Sequence, residues 1–257
     1  MKKSSLKAVT TIFLLSVVAL LGISSSSCAQ STDGSPEWVV ESYFSRQDFP
    51  DLQKYLAGEL ARDTVHFGAF LPDDFRVTYR TLQRHDSSAV IAATARNDST
   101  GTDFYCFLKH SERWQIEAIR TLWLPALVLD MIDSLEARPV LDDTLSTLLA
   151  RFKLLLSTDS VLTAFWVDHR TDFESIVDDY RNQNKQDVDD RMHKLHLTMV
   201  YEDSVYSGCV FIMIGGMIDN EAGYVFTEDE SNLPEITSSY FIMIEKIAPH
   251  WYLYKTT

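Results

Sequence analysis

The sequence has few of the residue patterns that build metal, cofactor or nucleophilic chemistry. Its 257 residues include only three cysteines, nine glycines and seven prolines. No CxxC pair or Cys/His spacing typical of a zinc site occurs. A G-x-S-x-G nucleophile motif and a glycine-rich phosphate loop followed by Lys and Ser or Thr are also missing. We therefore predict no metal ion, no cofactor and no catalytic triad.

Basic residues are scarce as well. The chain carries 23 Lys and Arg against 37 Asp and Glu, for a formal net charge of −14. Because a nucleic acid is bound through its phosphates by a basic face, this balance excludes nucleic acid as a partner. The hydrophobic fraction of 46% and the charged fraction of 23% are those of a globular protein. The length fits one large domain or two small ones.

The amino terminus has the layout of an export signal. Three lysines precede an apolar run over residues 8–23, and small residues at 24–27 lead to Cys28. The run is shorter than the roughly 20 residues of a typical membrane span. Small residues directly before a cysteine resemble a bacterial lipoprotein signal. The resemblance implies removal of residues 1–27, a lipid on Cys28 and a membrane anchor through that lipid.

Two alternatives to the lipid anchor remain open. The tripeptide Ser27-Cys28-Ala29 before Gln30 also fits a signal-peptidase site, which would release a soluble secreted or periplasmic protein. Without cleavage, the apolar run would itself serve as an anchor. The first and favoured prediction is a cell-envelope protein that faces the periplasm or the exterior.

Residues 28–35 form a polar tether, and residues 36–122 show helical spacing followed by strand alternation. Asp33, Ser35 and Pro36 are typical of a helix start, so we predict a helix over 36–46 and a second short helix over 52–60. The apolar period then changes from 3.6 to 2. This change predicts strands with turns between them, over 75–81, 89–93, 104–108 and 114–119.

This order of helices and strands, closed by the hairpin FYCFLKHSERWQIEAIR, resembles the NTF2-like and cystatin-like superfamily. The resemblance covers residues 36–122. It implies a curved antiparallel sheet wrapped around the amino-terminal helix, with a cone-shaped pocket that some relatives use for isomerase or dehydratase chemistry. The candidates for a general acid or base in such a pocket are His66, Tyr79, Asp103 and Tyr105.

Residues 123–257 are expected to form a helical segment followed by a carboxy-terminal antiparallel sheet. Apolar spacing predicts three helices, near 124–135, from Asp142 or Asp143 to 156, and over 159–180. Residues 182–190 are predicted as a polar linker. Strands are then predicted over 195–201, 205–214, 224–226, 239–247 and 251–255. Parts of this region also resemble uncharacterised exported bacterial proteins, a resemblance that implies no activity. The fold class is therefore α+β.

Two histidines are candidates for a metal site, and two cysteines are candidates for a disulfide. His193 and His196 would face one way on a helix and opposite ways on a strand. We predict the entry of a strand there, and hence no metal site. Cys106 and Cys209 lie in apolar, strand-like runs, which favours two buried thiols over a disulfide between them.

Contact surfaces are predicted near the end of the chain. Two glycines after a strand indicate a wide connection over 215–223, and we assign binding to Gly215, Gly216, Asp219, Asn220 and Glu221. The acidic loop at 228–235 would adjoin them. The acidic stretch over 168–190 is either a solvated face or a site for a basic partner.

These patterns favour a non-enzymatic binding or interaction module of the cell envelope. Its partner would be an envelope protein or a small apolar ligand. The alternative is a small-molecule enzyme, of isomerase, dehydratase or hydrolase type, that uses the pocket of the NTF2-like module.

Overall fold

The first helix begins where the sequence predicts. Helix α1 spans Pro36–Phe44, and the side chain of Ser35 accepts a hydrogen bond from the backbone N–H of Trp38 at 3.1 Å. Pro36 occupies the first helical position, where the missing N–H costs nothing. The predicted second helix over 52–60 is wrong. Two short 3-10 turns, Leu52–Tyr55 and Gly58–Leu60, take its place, because Leu56 between them pairs as an isolated bridge with Ile116.

The computed structural model describes residues 32–122, 126–217 and 219–257, and residues 31–257 form one compact unit. The predicted signal over 1–27 and Cys28 lie outside the described residues. Among those described, no helix combines the length and the apolar character needed to span a membrane.

Four strands form the first sheet. They are β1 (Arg76–Arg84), β2 (Ser88–Arg96), β3 (Gly101–His110) and β4 (Trp114–Arg120), each antiparallel to the next along the chain. Helix α1 packs on one face of this sheet. Its buried side chains meet apolar residues of the strands, among them Val40 and Phe44 against Ile91, Cys106 and Ile116.

Five helices follow. They are α2 (Ala126–Glu136), α3 (Asp143–Leu155), α4 (Asp159–Asp168), α5 (Arg170–Arg181) and α6 (Lys185–Lys194). Asp142 caps α3, since its carboxylate accepts the backbone N–H of Leu145 at 2.8 Å. The single helix predicted over 159–180 is divided at His169, which leaves the helical conformation with φ −114° and ψ 18°.

Helix α6 corrects the prediction of a polar linker over 182–190. Val188 and Met192 lie one turn apart on α6 and are both buried in the core, so the segment is amphipathic. With only two apolar residues among many charges, its helical period was not recognised in the sequence. The strand predicted from residue 195 is also wrong at its start, because His196 has a positive φ of 57°. His193 lies in the last turn of α6, and His196 lies in the turn after the helix.

The second sheet has five antiparallel strands. They are β5 (Met199–Glu202), β6 (Val210–Met217), β7 (Asn220–Phe226), β8 (Phe241–Ala248) and β9 (Trp251–Thr256), in the order β5-β6-β7-β9-β8. Strand β6 begins later than the predicted residue 205. Helices α4, α5 and α6 pack on one face of the sheet. Apolar side chains from the segments around Tyr206 and over 233–236 pack on the other face.

The predicted wide connection over 215–223 is a tight one. Gly215 pairs with Ala222 and Gly216 with Glu221, so β6 and β7 continue almost to their shared turn. A Cβ atom on Gly216 would lie 2.7 Å from Cγ of Glu221. The glycines thus allow close strand pairing, and Gly215 and Gly216 are not residues of an open loop.

The two sheets share one core. Ala92 and Tyr105 of the first sheet belong to the same buried cluster as Leu162 of α4 and Trp251 of β9. The α+β class is confirmed.

Cys106 and Cys209 are buried, unpaired and in different clusters, as predicted for two apolar thiols.

The shared core makes a prediction about stability. Leu162→Ala, at a fully buried position, is expected to lower the free energy of unfolding by about 2–5 kcal/mol through lost contacts and a cavity. The neighbouring Val161→Ala, at a side chain that is 51% exposed, is expected to change it by about 0.5 kcal/mol or less. Urea unfolding followed by circular dichroism measures both. Equal effects of the two substitutions would contradict the assigned packing.

Candidate functional site

The structure does not bring the four predicted catalytic residues together. Tyr105 and Asp103 project from β3 toward α4 and β9. Tyr79 packs on the opposite face, with the cluster around α1, and lines a cleft of about 360 Å³. His66 precedes a 3-10 turn over Phe67–Phe70, and its buried Nε2 has no hydrogen-bond partner.

Asp103 belongs instead to a group of charges buried between the two sheets. The ammonium group of Lys255, on β9, lies 2.8 Å from Oδ1 of Asp159 and 3.2 Å from Oδ2 of Asp103. The backbone N–H of Asp159, in the first turn of α4, donates to Oδ2 of Asp103 at 2.7 Å. The three side chains are only 2–4% exposed. One cation thus connects β3, α4 and β9.

Two hydroxyl groups complete the coordination of the buried carboxylates. The phenol of Tyr105 donates to the carboxylate of Asp159, with oxygen distances of 2.9 and 3.0 Å. The hydroxyl of Thr94 donates to Oδ1 of Asp103 at 2.6 Å. Asp103 and Tyr105 are therefore committed to partners inside the protein.

Arg80 extends the group toward the surface. Its guanidinium donates to Asp159 on one side, and its Nε lies 2.9 Å from Glu245 Oε1 on the other. Glu245 is on β8, so this contact also connects the outer strands of the two sheets. We call this group the buried ion network and define it as Arg80, Thr94, Asp103, Tyr105, Asp159, Glu245 and Lys255.

The network keeps Asp159 and Lys255 charged. Burial raises the pKa of Asp159, but the positive charges of Lys255 and Arg80 outweigh it, and the net result is a pKa below the ordinary value. Burial lowers the pKa of Lys255, but Asp159 and Asp103 outweigh it and hold that pKa above the ordinary value. Burial and the two carboxylates raise the pKa of Tyr105, so its phenol stays a donor. The network joins the sheets, and each of its carboxylates accepts hydrogen bonds from groups within the protein.

A second cluster lies on the other face of the second sheet, away from α4, α5 and α6. Tyr201, Tyr206 and Tyr240 surround the rings of Phe211 and Phe241. Tyr201 stacks on Phe211 at 5.3 Å, Tyr206 meets Phe241 edge-on at 5.5 Å, and Tyr240 meets Phe241 at 4.8 Å between centroids. Tyr240 is 47% exposed. The aromatic cluster therefore reaches the surface.

Carboxylates accompany these tyrosines. Glu221 is the second residue of β7 and lies on the same face as Val225. Gly223 between them leaves the space next to the Tyr254 ring without a side chain. Burial raises the pKa of Glu221, and the negative charge of Asp219 raises it further. Burial also raises the pKa of Tyr240, and Glu221, Asp203 and Asp219 add to that shift.

We call this region the tyrosine–acid surface and define it as Tyr201, Asp203, Tyr206, Asp219, Glu221 and Tyr240. Aromatic faces beside carboxylates attract a cation, through the ring quadrupole and through direct charge attraction. Of the predicted binding residues, Asp219 and Glu221 belong to it and Asn220 lies between them. Gly215 and Gly216 lie in the paired part of β6 and do not.

Sequence reasoning missed the tyrosines and most of the buried ion network. The signal for Lys255 was its place in a strand of apolar and aromatic residues, WYLYKT, where a lone lysine requires a partner.

The acidic stretch over 168–190 is in part internally paired, since Asp172 and Asp179 bind Arg191 and Lys194 and join α5 to α6.

In the part of the chain that the structure describes, no group of three or more His, Cys, Asp or Glu residues could hold a metal ion. Comparisons with protein-family models, with curated proteins and with solved structures found no match to this chain. The function proposed below therefore depends on the geometry of this chain alone.

The buried ion network predicts a strong effect of removing its central cation. Lys255→Met leaves Asp103 and Asp159 buried without that charge, which is expected to cost about 3–5 kcal/mol of unfolding free energy at neutral pH. Lys246→Met removes an exposed ion pair with Glu230 and is expected to change stability far less.

The difference between Lys255→Met and wild type should depend on pH with a defined sign. The depressed pKa of Asp159 contributes stability that is present above the unfolded pKa and is lost as pH falls through the folded pKa. Because Lys255 stabilises the ionised carboxylate, the deficit of Lys255→Met should shrink as pH falls into the acid range. Denaturant unfolding at several pH values measures it, and a deficit that grows in acid would contradict the assignment.

Proposed function

We propose that this chain is an exported cell-envelope protein that acts as a non-enzymatic binding module. Its binding site is the tyrosine–acid surface, and the group it binds is a positively charged side chain of a partner protein. The observation that supports this proposal is the partly exposed cluster of three tyrosines with three nearby carboxylates, of which Tyr201 and Glu221 lie on strands and the other four in the adjoining turns.

The chemistry of the surface favours a basic partner. A guanidinium or ammonium group gains from an aromatic face and from a nearby carboxylate at once. The chain has a net charge of −14, so its field draws basic partners toward it and speeds their encounter. The tyrosines are held against Phe211 and Phe241, so little conformational entropy is lost when they bind.

The envelope location and the module type are part of the same proposal. The lysines, the apolar run and the small residues before Cys28 support export and a lipid on Cys28. The packing of α1 on a four-stranded antiparallel sheet supports an NTF2-like module over residues 36–122. A lipid anchor would hold the acidic surface near the membrane through the acyl chains and not through charge.

Lipid attachment is tested in cells that express the full chain. Wild type is expected to incorporate a radiolabelled fatty acid, and Cys28→Ala is expected to lose the label, because the thiol that carries the lipid is removed. Cys209→Ala, at a buried thiol, serves as the matched control and should keep the label. A labelled Cys28→Ala protein would rule out the anchor.

The binding site is tested with the protein immobilised and exposed to envelope extract. Tyr240→Ala and Glu221→Gln are each expected to weaken retention of a basic partner by about three- to tenfold, because each removes one attraction for the cation. Glu235→Gln, an exposed acid outside the surface, is the control. Retention should also fall as salt is raised. Equal retention by wild type, both surface variants and the control would refute this site.

A further inference from the structure

A cleft of about 680 Å³ lies between the end of α5, the start of α6 and strand β5. We call it the α5–β5 cleft. Its apolar base consists of Tyr180, Val188 and Val200, which belong to the main core or pack against it. Small-molecule sites have volumes in this range and combine an apolar base with a few polar groups. The cleft therefore has the size and the base of a ligand site.

Four polar side chains at the rim of the α5–β5 cleft have no partner inside the protein. They are Gln183, Lys185, Asp189 and Glu202, and all four are exposed. In the part of the chain that the structure describes, none of these side chains makes a hydrogen bond or an ion pair. Their donors and acceptors are therefore free to meet a ligand.

Gln183 occupies a backbone position that favours glycine. It follows the end of α5 with a φ of 60°. Its N–H donates to the carbonyl of Tyr180 at 3.1 Å, and the N–H of Asn184 donates to the carbonyl of Asp179 at 2.9 Å. These two bonds form a Schellman motif, whose left-handed residue is usually glycine. A glutamine there is strained relative to glycine, and such strain is concentrated at functional sites.

The charges of the rim cancel. Arg181 and Lys185 are basic, and Asp189 and Glu202 are acidic. Arg181 is also held by Glu228 at 2.9 Å. An anionic ligand would meet both carboxylates, and a cationic ligand would meet both basic groups. The rim is better suited to a ligand without net charge whose groups each donate and accept hydrogen bonds, as hydroxyls do.

We propose that the α5–β5 cleft binds a neutral oligosaccharide. A sugar ring has apolar C–H faces that pack on an aromatic ring, here that of Tyr180, and its hydroxyls reach the polar rim. The amide of Gln183 can donate to one hydroxyl and accept from the next. A zwitterionic amino acid is also neutral, but it would use the charged side chains and leave this amide and the aromatic ring without a role.

The α5–β5 cleft and the tyrosine–acid surface lie on opposite faces of the second sheet. Val200 packs with the core under the helices, whereas Tyr201 packs with the cluster on the other face. Because side chains alternate along a strand, Glu202 lies on the side of Val200. This inference therefore does not depend on the proposed binding of a basic partner.

Saturation-transfer NMR tests the ligand class with protein purified from cells that express the full chain. The neutral probes are cellotriose, maltotriose and chitotriose, and trigalacturonate and triglycine are the acidic and zwitterionic comparisons. At least one neutral trisaccharide is expected to bind, with an affinity that salt does not change because no charge pairs with it. The absence of binding by all three neutral trisaccharides, or tighter binding of trigalacturonate or triglycine, would overturn the proposal.

A glycine substitution separates the role of the Gln183 side chain from that of the turn. Gln183→Gly is expected to weaken trisaccharide binding by about three- to tenfold, because a hydrogen-bonding amide is lost. Its Tm should stay the same or rise slightly, because glycine suits the left-handed position. Calorimetric titration measures the affinity, and thermal unfolding measures the Tm.

Two controls locate the site. Gln186→Ala removes an exposed amide of α6 that does not line the α5–β5 cleft, and Tyr240→Ala alters the tyrosine–acid surface. Both variants should bind the trisaccharide as wild type does. Equal affinity of Gln183→Gly and wild type, or a loss of affinity in Tyr240→Ala as large as that in Gln183→Gly, would contradict the assigned site.

Discussion

Lys255 lies between two carboxylates in the interior of the protein. The need to keep its ammonium group paired with both of them determines how the two sheets are arranged. Asp103 belongs to the first sheet, Asp159 to the first turn of α4 and Lys255 to the second sheet. A buried ion pair is a poor source of stability compared with apolar packing, but removing one member leaves an uncompensated charge. The network therefore specifies one relative position of β3, α4 and β9, while the shared apolar core supplies most of the stability.

The two faces of the second sheet have different roles. Helices α4 to α6 seal one face, with Phe173 and Trp251 in contact there. The other face is covered by irregular segments, and it is there that tyrosines and carboxylates reach solvent. Irregular segments can carry such side chains because loops lie at the protein surface and bury few of their residues. A sheet packed under helices on one face, with aromatic and acidic side chains at the surface of the other, is a suitable base for recognition.

Local patterns predicted the elements whose burial follows a simple period. Helix α1, with its Ser35 cap and Pro36, and the alternating strand β4 are of this kind. Helix α6 was missed because two apolar residues among many charges show no clear period, although they suffice once α5 lies beside them. The partners of Asp103 could not be predicted, because Asp159 and Lys255 are distant in sequence and only the fold brings them to it. Of the tyrosine–acid surface, only Asp219 and Glu221 were named from the sequence. Its tyrosines were missed because they come from three separate segments.

The distance along the chain between Asp103 and Lys255 has a kinetic consequence. The two residues are 152 positions apart, so the inner face of the first sheet gains this partner only when β9 has docked. Contacts of such long range slow folding because the intervening loop must close first. Until then, β3 presents a carboxylate without its ammonium partner, which disfavours premature collapse of the amino-terminal half. The protein is thus expected to reach its native state in a late, concerted step rather than sheet by sheet.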